Sequence, residues 1–246
     1  RRRHTRFRNV TGVQTCALPI FAAGDREGRL LIWELPEPND IPPIEQQTKT
    51  PGVAPAPKFS LVGHTNGISR LAITPDGKTL YAPGADPYWY VVNGETGKLI
   101  KKIDTTKTRN LYKSTTSVAH NTIFAPDGSK VYLADARSLD VQVVDPKTME
   151  VVSNVGPFSH RLRPFTVNGS NSLVIVNVYE LLGFEIGDIK TGKKIARVEV
   201  QGYTWDPKKP PPHSVGEFVS PSHGVAMSPD EKEIWVTDGS NGYLHV

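Results

Sequence analysis

Seven histidines are scattered through the 246 residues, and five side chains from that set and its surroundings have types suited to chemistry. His120 stands in AHNTIF, His160 and Arg163 in SHRLRPF, His223 in SHGVAM, and His213 in a Pro-rich connection. Neutral imidazoles brought together from separate elements bind a metal or an iron cofactor, or trade protons as acid and base. An arginine beside them offers a fixed cation for an anionic group. The distances between these histidines in sequence are unlike the His-Glu-x-x-His spacing of a helical zinc site. They match the spacing of a structural repeat, so a repeat has to carry them. The plain alternative is structural: a histidine opening a strand bonds to its neighbour and locks their stacking.

The repeat has a period of about 40–60 residues, a length typical of stacked or radial arrays. One unit reads GISRLAITPDGKTLYAPGADPYWYVVNGETGKLIKKI and a second HNTIFAPDGSKVYLADARSLDVQVVDPKTMEVVSNV. A third, RPFTVNGSNSLVIVNVYELLGFEIGDIKTGKKIARVEV, has Asn168-Gly169 in place of the Pro-Asp-Gly turn. A fourth, HGVAMSPDEKEIWVTDGSNGYLHV, runs through three strands, and FAAGDREGRLLIWEL has the form of a second and third strand. Pro75-Asp76-Gly77 and Pro126-Asp127-Gly128 preset one φ and permit a positive one. The β-branched and aromatic runs LYAPGA, VYLADA, LVIVNV and IWVTDG follow as second strands. No segment keeps a helical period with caps. A lone four-stranded unit cannot bury both faces, so successive units must stack.

The pattern of small residue, Pro-Asp-Gly, Lys, aromatic strand and Asp-x-x-Thr-Gly resembles the bacterial YVTN-type β-propellers. Ile32-Trp33-Glu34-Leu35, with Gly63-His64 closing its blade, is closer to a WD-repeat blade. The resemblance implies an all-β propeller of four-stranded blades. Three are complete (67–104, 118–156 and 163–201) and two partial (21–64 and 222–246), where such propellers usually have about seven. An open ring leaves two blade faces unburied, so the chain expressed alone is expected to melt with low cooperativity. The resemblance extends to lactonases and to the haem-carrying propellers of nitrite reductases. It implies a channel mouth where His120, His160, Arg163, His213 and His223 gather as ligand-binding candidates. Two readings follow: a scaffold or ligand-binding propeller that engages a protein or small molecule on its top face, or an enzyme or redox-cofactor domain using the histidines. The scaffold or binding reading is favoured, since no catalytic signature is present. The residues name neither a metal nor a cofactor. A periplasmic or secreted location is what the resemblance suggests.

Other signals point away from function. Gly and Pro number 21 each, as in a turn-rich globular chain. No apolar run approaches the roughly 20 residues of a membrane helix. The formal charge of +4 comes from residues 1–20, RRRHTRFRNVTGVQTCALPI, with five arginines and no acid. Without them 24 basic residues face 25 acidic ones, so nucleic acid is not expected as a partner. That stretch back-translates into a common short-read sequencing adapter, with both reading-frame junctions intact, so it is expected to be an unstructured artefact. Cys16 and the Asn9 sequon then carry no information. Residues 36–57 and 202–222 are Pro-rich connections, the second a candidate lid holding Trp205, His213 and Glu217. Tyr88-Trp89-Tyr90 could stack on a sugar, but alternation favours packing between blades. Asp25, Asp135, Asp188 and Asp238 fall where Asx turns explain them, and His245 is expected to be incidental. The sequence contains no EF-hand loop, nucleophile elbow or phosphate-binding glycine loop.

Overall fold

The computed structural model describes residues 20–25, 27–34, 56–62, 67–68, 70–84, 86–108, 110–113, 118–201, 208 and 220–246. His64, His213, Cys16 and Asn9 lie outside them, as do most of the two Pro-rich connections. Among the described residues the chain is all-β, and no helix is long and apolar enough to cross a membrane.

Five antiparallel sheets follow one another in chain order, each an up-and-down meander. The first holds β1 (Ile20–Gly24), β2 (Arg29–Glu34) and β3 (Phe59–Val62). The second holds β4 (Ala72–Ile73), β5 (Thr79–Pro83), β6 (Tyr88–Asn93) and β7 (Leu99–Asp104). The third comprises β8 (Ala119–Phe124), β9 (Val131–Asp135), β10 (Val141–Asp145) and β11 (Glu150–Val155). The fourth comprises β12 (Leu162–Val167), β13 (Leu173–Val178), β14 (Gly183–Asp188) and β15 (Lys193–Glu199). The fifth is β16 (Val225–Met227), β17 (Ile234–Asp238) and β18 (Tyr243–His245). Ile20, the last residue of the adapter-like stretch, opens β1 opposite Glu34.

The period-2 geometry of a strand explains how the sheets join. In β9, Val131 and Leu133 enter a core shared with Tyr81, Trp89 and Val91 of the second sheet. Tyr132 and Ala134, between them in sequence, enter a different core with Val174, Val176 and Val178 of the fourth. Likewise Leu80 and Ala82 of β5 pack with Leu30 and Ile32 of the first sheet, while Tyr81 turns the other way. Ile175 of β13 meets Val236 of the fifth. The second strands β5, β9 and β13 are thus apolar on both faces because each face meets a neighbouring sheet, whereas β17 buries Val236 against the fourth sheet and leaves Trp235 exposed. The fourth strands are different: β15 is exposed along most of its length, so it forms the outer edge. Trp89 is fully buried, and its indole Nε1–H donates to Thr122 Oγ1 at 3.0 Å, tying β6 to β8. Tyr88 and Tyr90 point to the opposite side, over the ammonium of Lys102.

Turn chemistry repeats with the sheets. The amides of Gly77, Gly128, Asn171 and Glu231 each donate to the carbonyl three residues before, in Thr74, Ala125, Asn168 and Ser228. All four donors have positive φ, between 57° and 71°. The third unit turns over Asn168–Asn171, where the sequence places Asn168-Gly169, but its left-handed residue is Asn171 and not the glycine. Asn168 instead takes the place of Thr74, its Oδ1 accepting from the amides of Ser172 and Leu173. Asn and Glu tolerate the left-handed position at some cost, and here each uses its side chain. Asn171 accepts from the Tyr132 hydroxyl and donates to Ser129 Oγ, while Glu231 accepts from Ser170 N and Asn168 Nδ2. Both reach back to the preceding sheet.

Candidate cationic pocket at the first-strand starts

The turns also set a common register for the first strands. The carbonyls of Lys130, Leu173 and Glu233 accept from the amides of Ala125, Asn168 and Ser228. Counting back five residues from those amides reaches His120, Arg163 and His223, which therefore occupy one equivalent position in three successive sheets. His160 does not share it; it precedes β12 by two residues.

Two of these positions are bulged. The β8–β9 register steps from Ala119 to Asn121, leaving His120 as the extra residue. The β12–β13 register steps from Leu162 to Phe165, so Arg163 and Pro164 share one gap opposite Asn177. A bulge bends the strand and re-aims the side chain it carries, and bulges gather next to functional sites. Here they turn an imidazole and a guanidinium toward one cavity of about 400 Å³. Val118, Ala136, Arg137, Arg161 and Tyr179 complete its wall.

The electrostatics are those of a cationic site. Arg163 is only 4% exposed, and its guanidinium is pulled down to about 9 by burial and then by the charges of Arg161 and Arg70. His120 is pulled down to about 3, first by burial and then by Arg70, Arg163 and His223. Its Nδ1 is buried without a hydrogen-bond partner. The structural role expected for it, a side-chain bond locking two sheets, is therefore not made through Nδ1. His223 is exposed, yet partial desolvation and then Arg163 and Arg70 still hold it below the usual imidazole value. Its backbone N–H donates to Thr237 Oγ1. At neutral pH these imidazoles are uncharged, so the arginines supply the positive field.

Aromatic rings fix the arginines in place. The guanidinium carbons of Arg161 and Arg163 lie 4.1 and 3.8 Å from the Tyr179 ring centroid. His160 stacks on the same ring at 5.5 Å and on Tyr112 at 4.0 Å. Its Nδ1 accepts the Arg161 backbone N–H, which leaves the proton on Nε2 when the ring is neutral. Burial lowers its pKa against the opposing pull of Glu180. His160 thus supports Tyr179 from behind and is not part of the pocket wall.

Of the five candidates read from sequence, His120 and Arg163 line the pocket, while His223 is outside its wall but near enough for its charge to act on His120. His160 stands behind the wall, and His213 lies outside the described residues. Arg70, Arg137, Arg161 and Tyr179 were not singled out. Of these only Arg161 lies close to a candidate in sequence, two residues before Arg163 and just ahead of β12. Among the described residues, no three His, Cys, Asp or Glu side chains are placed to hold a metal ion. The strand-end aspartates serve turns: Asp135, fully buried, accepts from the amides of Val118 and Arg137. Asp25, Asp188 and Asp238 accept local amides in the same way. His245 is not incidental, since its Nε2 lies 3.0 Å from Oδ2 of the buried Asp238. No protein-family model matches the chain, and no curated protein matches it.

Proposed function

We propose that the five sheets are blades of a β-propeller that serves as a scaffold or ligand-binding protein, taking its ligand at the face where the first strands begin. The stacking of β5, β9 and β13 on the sheets to either side of them supports the propeller reading. One observation carries the binding reading: bulged residues at equivalent positions of two neighbouring sheets turn into one cavity large enough for a small organic molecule. The wall is built on strands and their ends, and its cations are braced by an aromatic ring, which is how a site is held ready before its ligand arrives.

Thermal melts of the 246-residue chain test this, run with neutral, cationic and anionic small molecules beside a pocket-filling Ala136→Trp variant. The expected result is at least one compound that raises Tm by several degrees in the parent chain and not in the variant. Equal shifts in both proteins, or none in either, would overturn the reading. So would a stoichiometric metal that disappears when His120, His160 and His223 are together replaced by alanine.

A further inference from the structure

In the three four-stranded sheets the outer strand carries a bulge at one equivalent place. The β6–β7 register steps from Leu99 to Lys101, the β10–β11 register from Val151 to Ser153, and the β14–β15 register from Lys194 to Ala196. The extra residues are Ile100, Val152 and Ile195, each three residues after the left-handed residue of its hairpin, Gly97, Met149 or Gly192. All three are β-branched, and they are 47%, 54% and 57% exposed. Aliphatic side chains so exposed add little to a core, so packing does not explain why the bulge recurs.

We propose that these bulges are a built-in guard that keeps the outer edges from pairing with a strand of a second copy of the chain. Among the described residues β7, β11 and β15 each end their sheet. A regular end strand presents a row of backbone donors and acceptors on which another strand can form. An extra residue breaks that row, increases the local twist and turns the edge away. β3, which also ends its sheet, is the comparison. Its register with β2 runs without a step, but it is only four residues long and follows Pro57, two other ways of blunting an edge. Cations add to the bulge on two strands: β7 holds Lys101 and Lys102, and β15 holds Lys193, Lys194 and Arg197. β11, EVVSNV, has no cation of its own. Its two ends are engaged, the first by Lys101 reaching Thr148 O and Glu150, the second by Asn154 Nδ2 on Thr108 O and Gly156 N on Gly192 O. Val152 lies between them, where the bulge alone protects the edge.

Sedimentation velocity over a range of concentrations tests this on the 246-residue chain and its variants. Deleting Val152 should leave the Val144–Val151 and Val143–Ser153 pairs in place and close the ladder between them. That variant should self-associate at least about tenfold more tightly than the parent, which is what two gained backbone hydrogen bonds supply. Val152→Lys keeps the bulge and should sediment as the parent does. Adding Ser153→Lys to the deletion should reverse the association, because a cation again blunts the edge. Association that persists in that double variant would reflect misfolding and would overturn the proposal. Deleting Ile100 or Ile195 instead should also tighten association, by a smaller factor, since those edges keep their cations. These two variants cover the case of a Val152 deletion that does not fold. Deletion variants that all sediment as the parent does would count decisively against the guard. So would a parent that self-associates and is separated by Val152→Lys, which would make the exposed aliphatics a contact between copies.

Discussion

The guanidinium of Arg163 rests 3.8 Å from the centre of the Tyr179 ring, and Arg161 reaches the same ring from two residues away. The ring is buried beneath them, so its role is to hold two cations that would otherwise repel each other. Replacing it with leucine keeps an apolar filler but removes the quadrupole. Tyr179→Leu should cost about 1–2 kcal/mol of stability, and Tyr179→Phe less than about 0.5 kcal/mol. Urea denaturation midpoints check both; a leucine variant as stable as the phenylalanine one would mean that the cation contact contributes nothing.

Glu185 is fully buried in the middle of β14, where Lys194 and Arg197 of β15 lie 3.2 and 3.3 Å from Oε1. Its Oε2 accepts the amide of Ser159 at 2.8 Å, so one carboxylate joins the outer edge of the fourth sheet to the segment leading into β12. Glu185→Ala strands that amide and two cations, and should destabilise by about 2–4 kcal/mol. Glu185→Gln keeps an acceptor and should cost about half as much. A midpoint for the alanine variant close to the parent value would remove Glu185 from this structural role.

Glu231 combines a strained backbone with useful contacts. Its φ is 58°, a region that costs a β-carbon roughly 1 kcal/mol, yet its carboxylate accepts from Ser170 N and Asn168 Nδ2 of the preceding sheet. Glu231→Ala loses the contacts and keeps the strain; Glu231→Gly loses both. The alanine variant should therefore be the less stable of the two, by about 1 kcal/mol. Equal stabilities would mean that the strain is negligible.

Acid should weaken the fold through His120. Its folded pKa of about 3 lies below the unfolded value of 6.5, so the unfolded chain binds more protons between those limits. Stability contributed by the neutral ring is complete above pH 6.5 and is lost as pH falls toward 3. His160 and His223 act in the same direction. Asp140 opposes them: burial raises its pKa to about 6, so its contribution is complete below about pH 3.8 and is lost as pH rises through 6. Between pH 7 and 4.5, His120→Asn should gain about 1–2 kcal/mol relative to the parent. Asp140→Asn should show the reverse, being more stable than the parent above pH 6 and converging with it in acid. Stability differences independent of pH would contradict both assignments.

Much of the fold was legible because both signals are local. VYLAD and LVIVNV alternate, and their neighbours on both faces are sheets, so the apolar runs read directly as buried strands. Pro-Asp-Gly turns declare themselves through glycine; in the third turn Gly169 marks the place, but the left-handed residue is Asn171. The pocket was legible only in part. His120, Arg163 and His223 could be found because a repeat marks equivalent positions. Arg137 and Tyr179 follow the second strands of two different sheets, and only stacking brings them together. Of the bulges that aim His120 and Arg163, only the second leaves a residue signature, Pro164, which lacks the N–H that a regular ladder needs.

The most direct measurement is a crystal structure of the chain grown with a compound that raises Tm in the parent and not in Ala136→Trp. That compound seated in the cavity beside His120, Arg163 and Tyr179 is the predicted result. The compound bound elsewhere while that cavity holds only solvent would contradict it.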